Sequence, residues 1–162
     1  MNLAIWDIES SSASTDFGSI IEIGGVLVDQ NFKEKDRFNL RCRLPEGEIF
    51  QAMALIVNKT SIKKLTQANL SHYQMLAEVE KIFKKWSPAI FLGWSNIGFD
   101  DEMIRKEFFK GIRYPYLTNA APNKRHDGIN IARAAYAVDP NILEVEFNLS
   151  LIHISEPTRR TQ

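Results

Sequence analysis

At 162 residues, 44% of them hydrophobic and 25% charged, the chain has the size and composition of one globular domain with a sizeable core. Its 20 Lys and Arg balance 20 Asp and Glu, so no global basic field marks it as a protein that coats nucleic acid, although a local grip on a short stretch remains open. One cysteine, Cys42, excludes an internal disulfide and a cysteine zinc cluster, and with no stretch near the roughly 20 apolar residues of a membrane span and no signal peptide before Asp7, the expectation is a cytoplasmic protein.

The first element is "LAIWD" (3–7), an apolar run entering a Ser-rich turn, which predicts a buried strand reaching the surface. Residues i and i+2 of a strand share a face, so Asp7 and Glu9 stand side by side. Two like charges so close repel, and a cation between them would remove that penalty. "IIEIGGVLVD" (20–29) is rich in β-branched residues and predicts a second strand. "RFNLRCRL" (37–44) alternates strictly, with Phe38, Leu40, Cys42 and Leu44 on one face and Arg37, Asn39, Arg41 and Arg43 on the other. That pattern predicts a half-buried antiparallel strand, and the three together a meander.

"SHYQMLAEVEKIFKKW" (71–86) is a helix, with Ser71 and Gln74 as a capping box and Leu76, Val79, Phe83 and Trp86 as its apolar stripe. "AIFLGW" (89–94) is a short strand, "DDEMIRKEFFK" (100–110) a second helix and "INIARAAYAV" (129–138) a third, with "NAAPNKRHD" (119–127) a polar loop. No repeat or linker divides the chain. Strands first, then alternating helix and strand, predict an α/β fold: a mixed sheet with helices on its faces.

Three acids open the second helix. Asp101 stands four before Arg105 and Glu102 four before Lys106, the favourable order for exposed ion pairs. Asp100 has Ile104 and Phe108 at that spacing and so lies on the apolar face, where a carboxylate needs a metal, a strong donor or the helix N-terminus. Taken alone, it reads as an N-cap. Taken with Asp7 and Glu9, it completes a set of three hard oxygen ligands suited to Mg²⁺ or Mn²⁺. Two such ions roughly 4 Å apart can activate a water and steady the leaving oxygen of a phosphodiester.

These residues resemble the DEDD superfamily of 3′-5′ exonucleases, which share a ribonuclease H-like fold. "DIES" is similar to the family's first motif through Asp7 and Glu9, and Asn96, Phe99 and Asp100 to its second. The run "NIGFDDEMIRKEFFKGIRYPY", followed by "RHDGINIARAAYAV", is most similar to the exodeoxyribonuclease I branch. The likeness covers about residues 2–148. It implies that Asp7 binds both of two Mg²⁺ (or Mn²⁺) ions, that Glu9 serves the ion holding the attacking water, and that Asp100 completes the other site. It implies substrate-binding or supporting roles for Ser10, Asn96 and Phe99, and hydrolysis of single-stranded DNA from its 3′ end to mononucleotides. Tyr114 and Tyr116 would offer stacking surfaces for bases, with loop packing as the duller account.

The family's third motif, a His followed about five residues later by a fourth acid, should follow Phe147. The chain reads "LSLIHISEPTRRTQ" (149–162) there, and His153 is followed by Glu156 and Pro157. His153 is not taken as catalytic. The expectation is a partial exonuclease domain over 1–148, incomplete at its C-terminus and lacking the third motif, so that this chain binds divalent metal weakly and has little or no nuclease activity, and a non-native tail over 149–162 that resembles translated adapter sequence.

Other residues take the plainer reading: His72 solvated, Asp127 an N-cap, Glu22 on a solvated face, Cys42 core, and "KTSIKKLTQ" (59–67) a solvated basic stretch. The alternatives are an RNA-trimming member of the same superfamily and a catalytically inactive nucleic-acid-binding module.

Overall fold

The computed structural model describes residues 1–143. The tail 149–162, with His153 and Glu156, lies outside the described residues. One five-stranded sheet carries the fold, in the order β3-β2-β1-β4-β5. β1 (Asn2–Ser10), β2 (Ile20–Val28) and β3 (Glu34–Arg41) form the antiparallel meander that alternation predicts. β4 (Ala89–Gly93) and β5 (Lys124–Asp127) extend the sheet in parallel from β1. The expected mixed sheet flanked by helices is therefore present.

Helices α3 (His72–Trp86) and α4 (Asp100–Lys110) cover one face. α3 begins where its cap predicts: the Ser71 hydroxyl accepts from the Gln74 amide and the Gln74 side chain accepts from the Ser71 amide. Its stripe of Leu76, Val79, Phe83 and Trp86 is buried, joined by Met75. Phe83 is the hub, with its ring centroid 5.6 Å from Trp6 and 4.9 Å from Phe91, both edge-on. α4 adds Met103, Ile104 and Phe108 to the same core, and Cys42 is buried in it as expected.

Four boundaries differ from expectation. β1 runs on through Ser10, so Asp7 and Glu9 lie within the strand and not at its end. β3 starts and stops three residues early, leaving Cys42 as an isolated bridge to Leu70. The polar loop 119–127 ends in strand β5, whose Lys-Arg-His-Asp sequence carries no apolar alternation because it sits at the sheet edge. Two short helices, α1 (Ala52–Val57) and α2 (Ile62–Thr66), occupy a stretch for which the sequence predicts no element; each is too short to show a periodic stripe. The last helix, α5 (Gly128–Val138), starts at the expected Asp127 cap, whose side chain accepts from the Ile129 amide, and buries none of its residues. A 3₁₀ turn, Pro140–Leu143, follows it.

Candidate active site

β1 alternates between two environments. Ala4, Trp6 and Ile8 point into the helix-covered core, so Ile5, Asp7 and Glu9 must point to the opposite, open face. Cross-strand register then builds rows on that face. Glu9 pairs with Glu22, and Glu22 with Arg41; Asp7 pairs with Gly24, and Gly24 with Asn39. A register shift between Glu9 and Ser10 ends this regular pairing just past the second carboxylate.

The third carboxylate comes from the neighbouring helix. β1 outruns its parallel partner, since β4 pairs only as far as Ile5. In the gap, the Asp100 Oδ1 accepts a hydrogen bond from the Ile8 amide at 3.3 Å. Phe99, not Asp100, is the N-cap of α4, and it makes no side-chain capping bond. The N-cap reading of Asp100 is therefore corrected: its carboxylate turns to β1, bonds the Ile8 amide and stands close enough to Asp7 to feel its charge.

The charges are under strain. Burial, then the Asp7 charge, pushes Asp100 up to about 7. Asp7 is raised too, first by desolvation, against the hydrogen bond from Asp100. Two carboxyl groups so close cannot both ionise cheaply, so the pair resists losing its last proton. Glu9 is also pushed up to about 7, by burial and then by the charges of Asp7 and Glu22, with Arg41 opposing. Three carboxylates that resist ionisation in one another's company have the donor chemistry of a hard divalent-cation site. Asp7 and Asp100 are in contact, whereas Glu9 reaches Asp7 only through its charge. Among the described residues, accordingly, no three His, Cys, Asp or Glu side chains are grouped closely enough to hold one metal ion.

The supporting residues sit deeper. Asn96 is 1% exposed and donates from Nδ2 to Asp101 at 2.8 Å, so it braces the start of α4 from below. Asp101 is itself buried, held also by the Thr118 hydroxyl at 3.2 Å and by Arg125 at 3.8 Å. That corrects the expected Asp101–Arg105 surface pair; Arg105 instead pairs with Glu102, and Lys106 reaches Asp16 at 2.5 Å as well as Glu102 at 3.4 Å. Phe99 is half-buried against the core. The Ser10 hydroxyl is buried and donates to the Ser12 carbonyl at 2.7 Å. Asn58 ties the α1–α2 segment to this turn by donating to the Ser10 carbonyl at 2.8 Å.

Two plainer readings are also corrected. Glu22 does not sit on an unrelated solvated face: it borders the same pocket as Asp7 and Glu9. His72 is not solvated: its Nε2 lies 3.2 Å from the nearly buried Glu107. Tyr114 and Tyr116 are half exposed, edge to face with centroids 6.1 Å apart, rather than packed away. Sequence reasoning missed Arg41, Asn39 and Asn58 at the pocket. Alternation put Arg41 and Asn39 on one face, but only register shows that Asp7 and Glu9 share it.

No family model matches the chain. It is 22% identical over 165 residues to exodeoxyribonuclease I of Buchnera aphidicola subsp. Schizaphis graminum, covering 99% of this chain and 34% of that protein. It is 24% identical over 138 residues to exodeoxyribonuclease I of Haemophilus influenzae, covering 84% of this chain and 29% of that one. Its fold superposes on E. coli Exonuclease I in complex with a dA16 oligonucleotide with a TM-score of 0.79 at 20% identity, over 86% of this chain and 30% of the other. An ExoI/SSB-Ct complex matches with the same TM-score. The chain thus spans about a third of the length of the curated relatives it matches, is similar to exodeoxyribonuclease I along that third, and carries the fold of the matching part of E. coli Exonuclease I.

Proposed function

We propose that the chain is the catalytic portion of a metal-dependent 3′-5′ exonuclease that hydrolyses single-stranded DNA to mononucleotides. The observation that carries the reading is the bond from the Ile8 amide to the Asp100 Oδ1 at 3.3 Å, which brings a helix carboxylate beside Asp7, 93 positions away in the sequence. A structural carboxylate pair has no reason to crowd two acids at a solvent-facing pocket; a cation site does. The similar E. coli structures hold dA16 and dT13 oligonucleotides, which supports a single strand as the ligand.

Asp7, Glu9 and Asp100 would hold two Mg²⁺ or Mn²⁺ ions, which when bound activate water and neutralise the leaving oxygen of a phosphodiester. The residues of the chain do the rest. Burial and the Asp7 charge push Asp100 up to about 7, so it can exchange its proton for a cation at neutral pH. The Ile8 amide keeps the Asp100 carboxylate aimed at β1 throughout. Asn96, through Asp101, and Phe99, through the core, hold the first turn of α4 in place. Asn58, clasped to the Ser10 carbonyl, borders the pocket beside Glu9, where the terminal nucleotide would lie.

One observation favours a second reading for this chain, an inactive binding module. Neither histidine among the described residues stands at the carboxylates: His72 lies against Glu107, and His126 is an exposed residue of β5. A 5′-labelled single strand incubated with the chain and Mg²⁺ separates the two. Shortening from the 3′ end that Asp7→Ala abolishes establishes the nuclease. Metal-dependent binding without shortening establishes the module. An RNA strand run in parallel tests the RNA-trimming alternative.

A further inference from the structure

The pocket on the open face of the sheet, about 350 Å³, is bordered by Asp7, Glu9, Glu22, Gly24, Asn39, Arg41 and Asn58. Three of these, Asp7, Glu9 and Glu22, are acids, and Arg41 is the one cation in the set. Its position follows from register: Glu9, Glu22 and Arg41 are successive cross-strand neighbours in a single row across β1, β2 and β3. The guanidinium is clamped along one edge, with Nε and Nη2 both donating to the Glu22 Oε2, the first at 2.8 Å. Its other terminal nitrogen, Nη1, makes no hydrogen bond among the described residues, and the side chain keeps about a third of its surface exposed. An arginine has five N–H donors in a fixed fork. A carboxylate that occupies one edge therefore sets the direction of the other.

The floor beside Arg41 is open for a structural reason. Gly24 and Gly25 are adjacent but differ. A Cβ on Gly25 would meet the Phe38 ring at 2.9 Å and the Ile5 carbonyl at 3.1 Å, so that glycine serves the packing of the covered face. A Cβ on Gly24 would meet nothing nearer than the Phe38 carbonyl at 3.6 Å, an ordinary contact. Gly24 stands between Asp7 and Asn39 in the neighbouring row, and its missing side chain leaves a level surface from the carboxylates to Arg41. A bare backbone at such a point is where a ligand can approach a sheet closely.

We propose that Arg41, oriented by Glu22, is a substrate-positioning residue that donates from its free edge to a backbone phosphate of the strand bound over Gly24. The proposal rests on the nucleic-acid reading of the site. The chemistry is one-sided: Asp7, Glu9 and Glu22 repel a phosphodiester, and only Arg41 supplies a fixed, permanently charged donor facing the same pocket. Contact with phosphate rather than a base makes the grip independent of sequence. The plainer account is an ion pair that merely ties β2 to β3, an arrangement that contributes little to stability.

The test uses the full chain and a 5′-fluorescein-labelled oligothymidylate of about 10 nucleotides. Binding is followed by fluorescence anisotropy in Ca²⁺ across a salt series. Arg41→Gln should weaken binding about 10-fold, the loss expected for one charge-assisted hydrogen bond. It should also lower the slope of log affinity against log salt by about one phosphate contact. Arg41→Lys should recover part of the affinity and all of the slope. Gly24→Val, which fits the strand without a clash, should weaken binding while leaving Tm unchanged. Arg41→Gln and Gly24→Val proteins that melt like the parent and bind the oligonucleotide as tightly, with the same salt slope, would overturn the assignment and leave the pair as a sheet tie. A parent chain with no affinity for the oligonucleotide would overturn the nucleic-acid reading itself, and this inference with it.

Discussion

Asp100 accepts a hydrogen bond from the backbone amide of Ile8, 92 positions earlier, and this one contact sets a carboxylate of α4 beside Asp7 of β1. A helix terminus and a strand interior are both rigid, so the carboxylates are held without help from a loop. Asp7→Ala and Asp100→Ala should each lower any Mg²⁺-dependent nuclease activity by at least about 10³-fold, roughly 4 kcal/mol of transition-state stabilisation. Their Tm should be unchanged or higher in EDTA, because each removes one member of a repelling pair. Quantified cleavage of a labelled single strand and a melting curve check both halves. A variant that loses activity and Tm together would point to a structural role.

The raised carboxyls make the pH dependence specific. Glu9 and Asp100 are pushed up to about 7 in the folded chain, from ordinary values of 4.5 and 3.8. The folded state therefore holds protons that the unfolded chain has released between about pH 4 and pH 7. The contribution of these groups to stability is greatest in acid and falls as pH rises through 7, the reverse of a salt-bridged carboxylate. A divalent cation must displace the same protons, so its affinity should rise from pH 6 to pH 8. Melting curves with EDTA or Mg²⁺ at the two pH values measure this: the Mg²⁺-induced rise in Tm should be larger at pH 8. An equal rise at both would mean that these carboxyls do not bind the ion.

The core prediction rests on Phe83. Its ring meets those of Trp6, Phe38, Trp86 and Phe91, joining α3 to three strands of the sheet. Phe83→Ala should cost about 3–5 kcal/mol, the loss of burial plus the cavity left among rings that cannot collapse together. Urea unfolding gives the value; a cost below about 1 kcal/mol would mean that the surrounding rings do close the gap.

What the sequence disclosed and what it hid follow one division. Periodicity disclosed α3, α4 and the meander, because each has one apolar face and a clear cap or turn. The carboxylates were legible because Asp7 and Glu9 share a strand face by spacing alone. Register was not legible. Alternation fixes which face Glu22 and Arg41 occupy, but not which residue of the next strand lies opposite. Glu22 was thus assigned to solvent when it stands across from Glu9. Nor does local charge order predict pairing: Asp101 precedes Arg105 by four, yet Asn96, Thr118 and Arg125 claim it because the helix end is buried. β5 escaped because an edge strand of polar residues has no pattern of its own.

His72 and Glu107 show the same limit and yield the last prediction. Sequence gave the histidine no partner, but α3 and α4 pack so that its Nε2 lies 3.2 Å from the Glu107 carboxylate. Burial dominates both shifts: it lowers His72 from its ordinary value and raises Glu107, with Lys110 opposing the rise in Glu107. Neither charge is well accommodated. A raised Glu107 stabilises the fold in acid, and that contribution is lost as pH rises through its folded value. Glu107→Gln keeps the shape and removes the charge, so it should raise Tm more at pH 8 than at pH 5. The gain should be about 1 kcal/mol, a buried charge being exchanged for an amide that still reaches His72. Melting the parent and variant at both pH values decides it. A fall in Tm at pH 8 would show that the charged carboxylate is held by an ion pair with His72 or Lys110 strong enough to outweigh its burial.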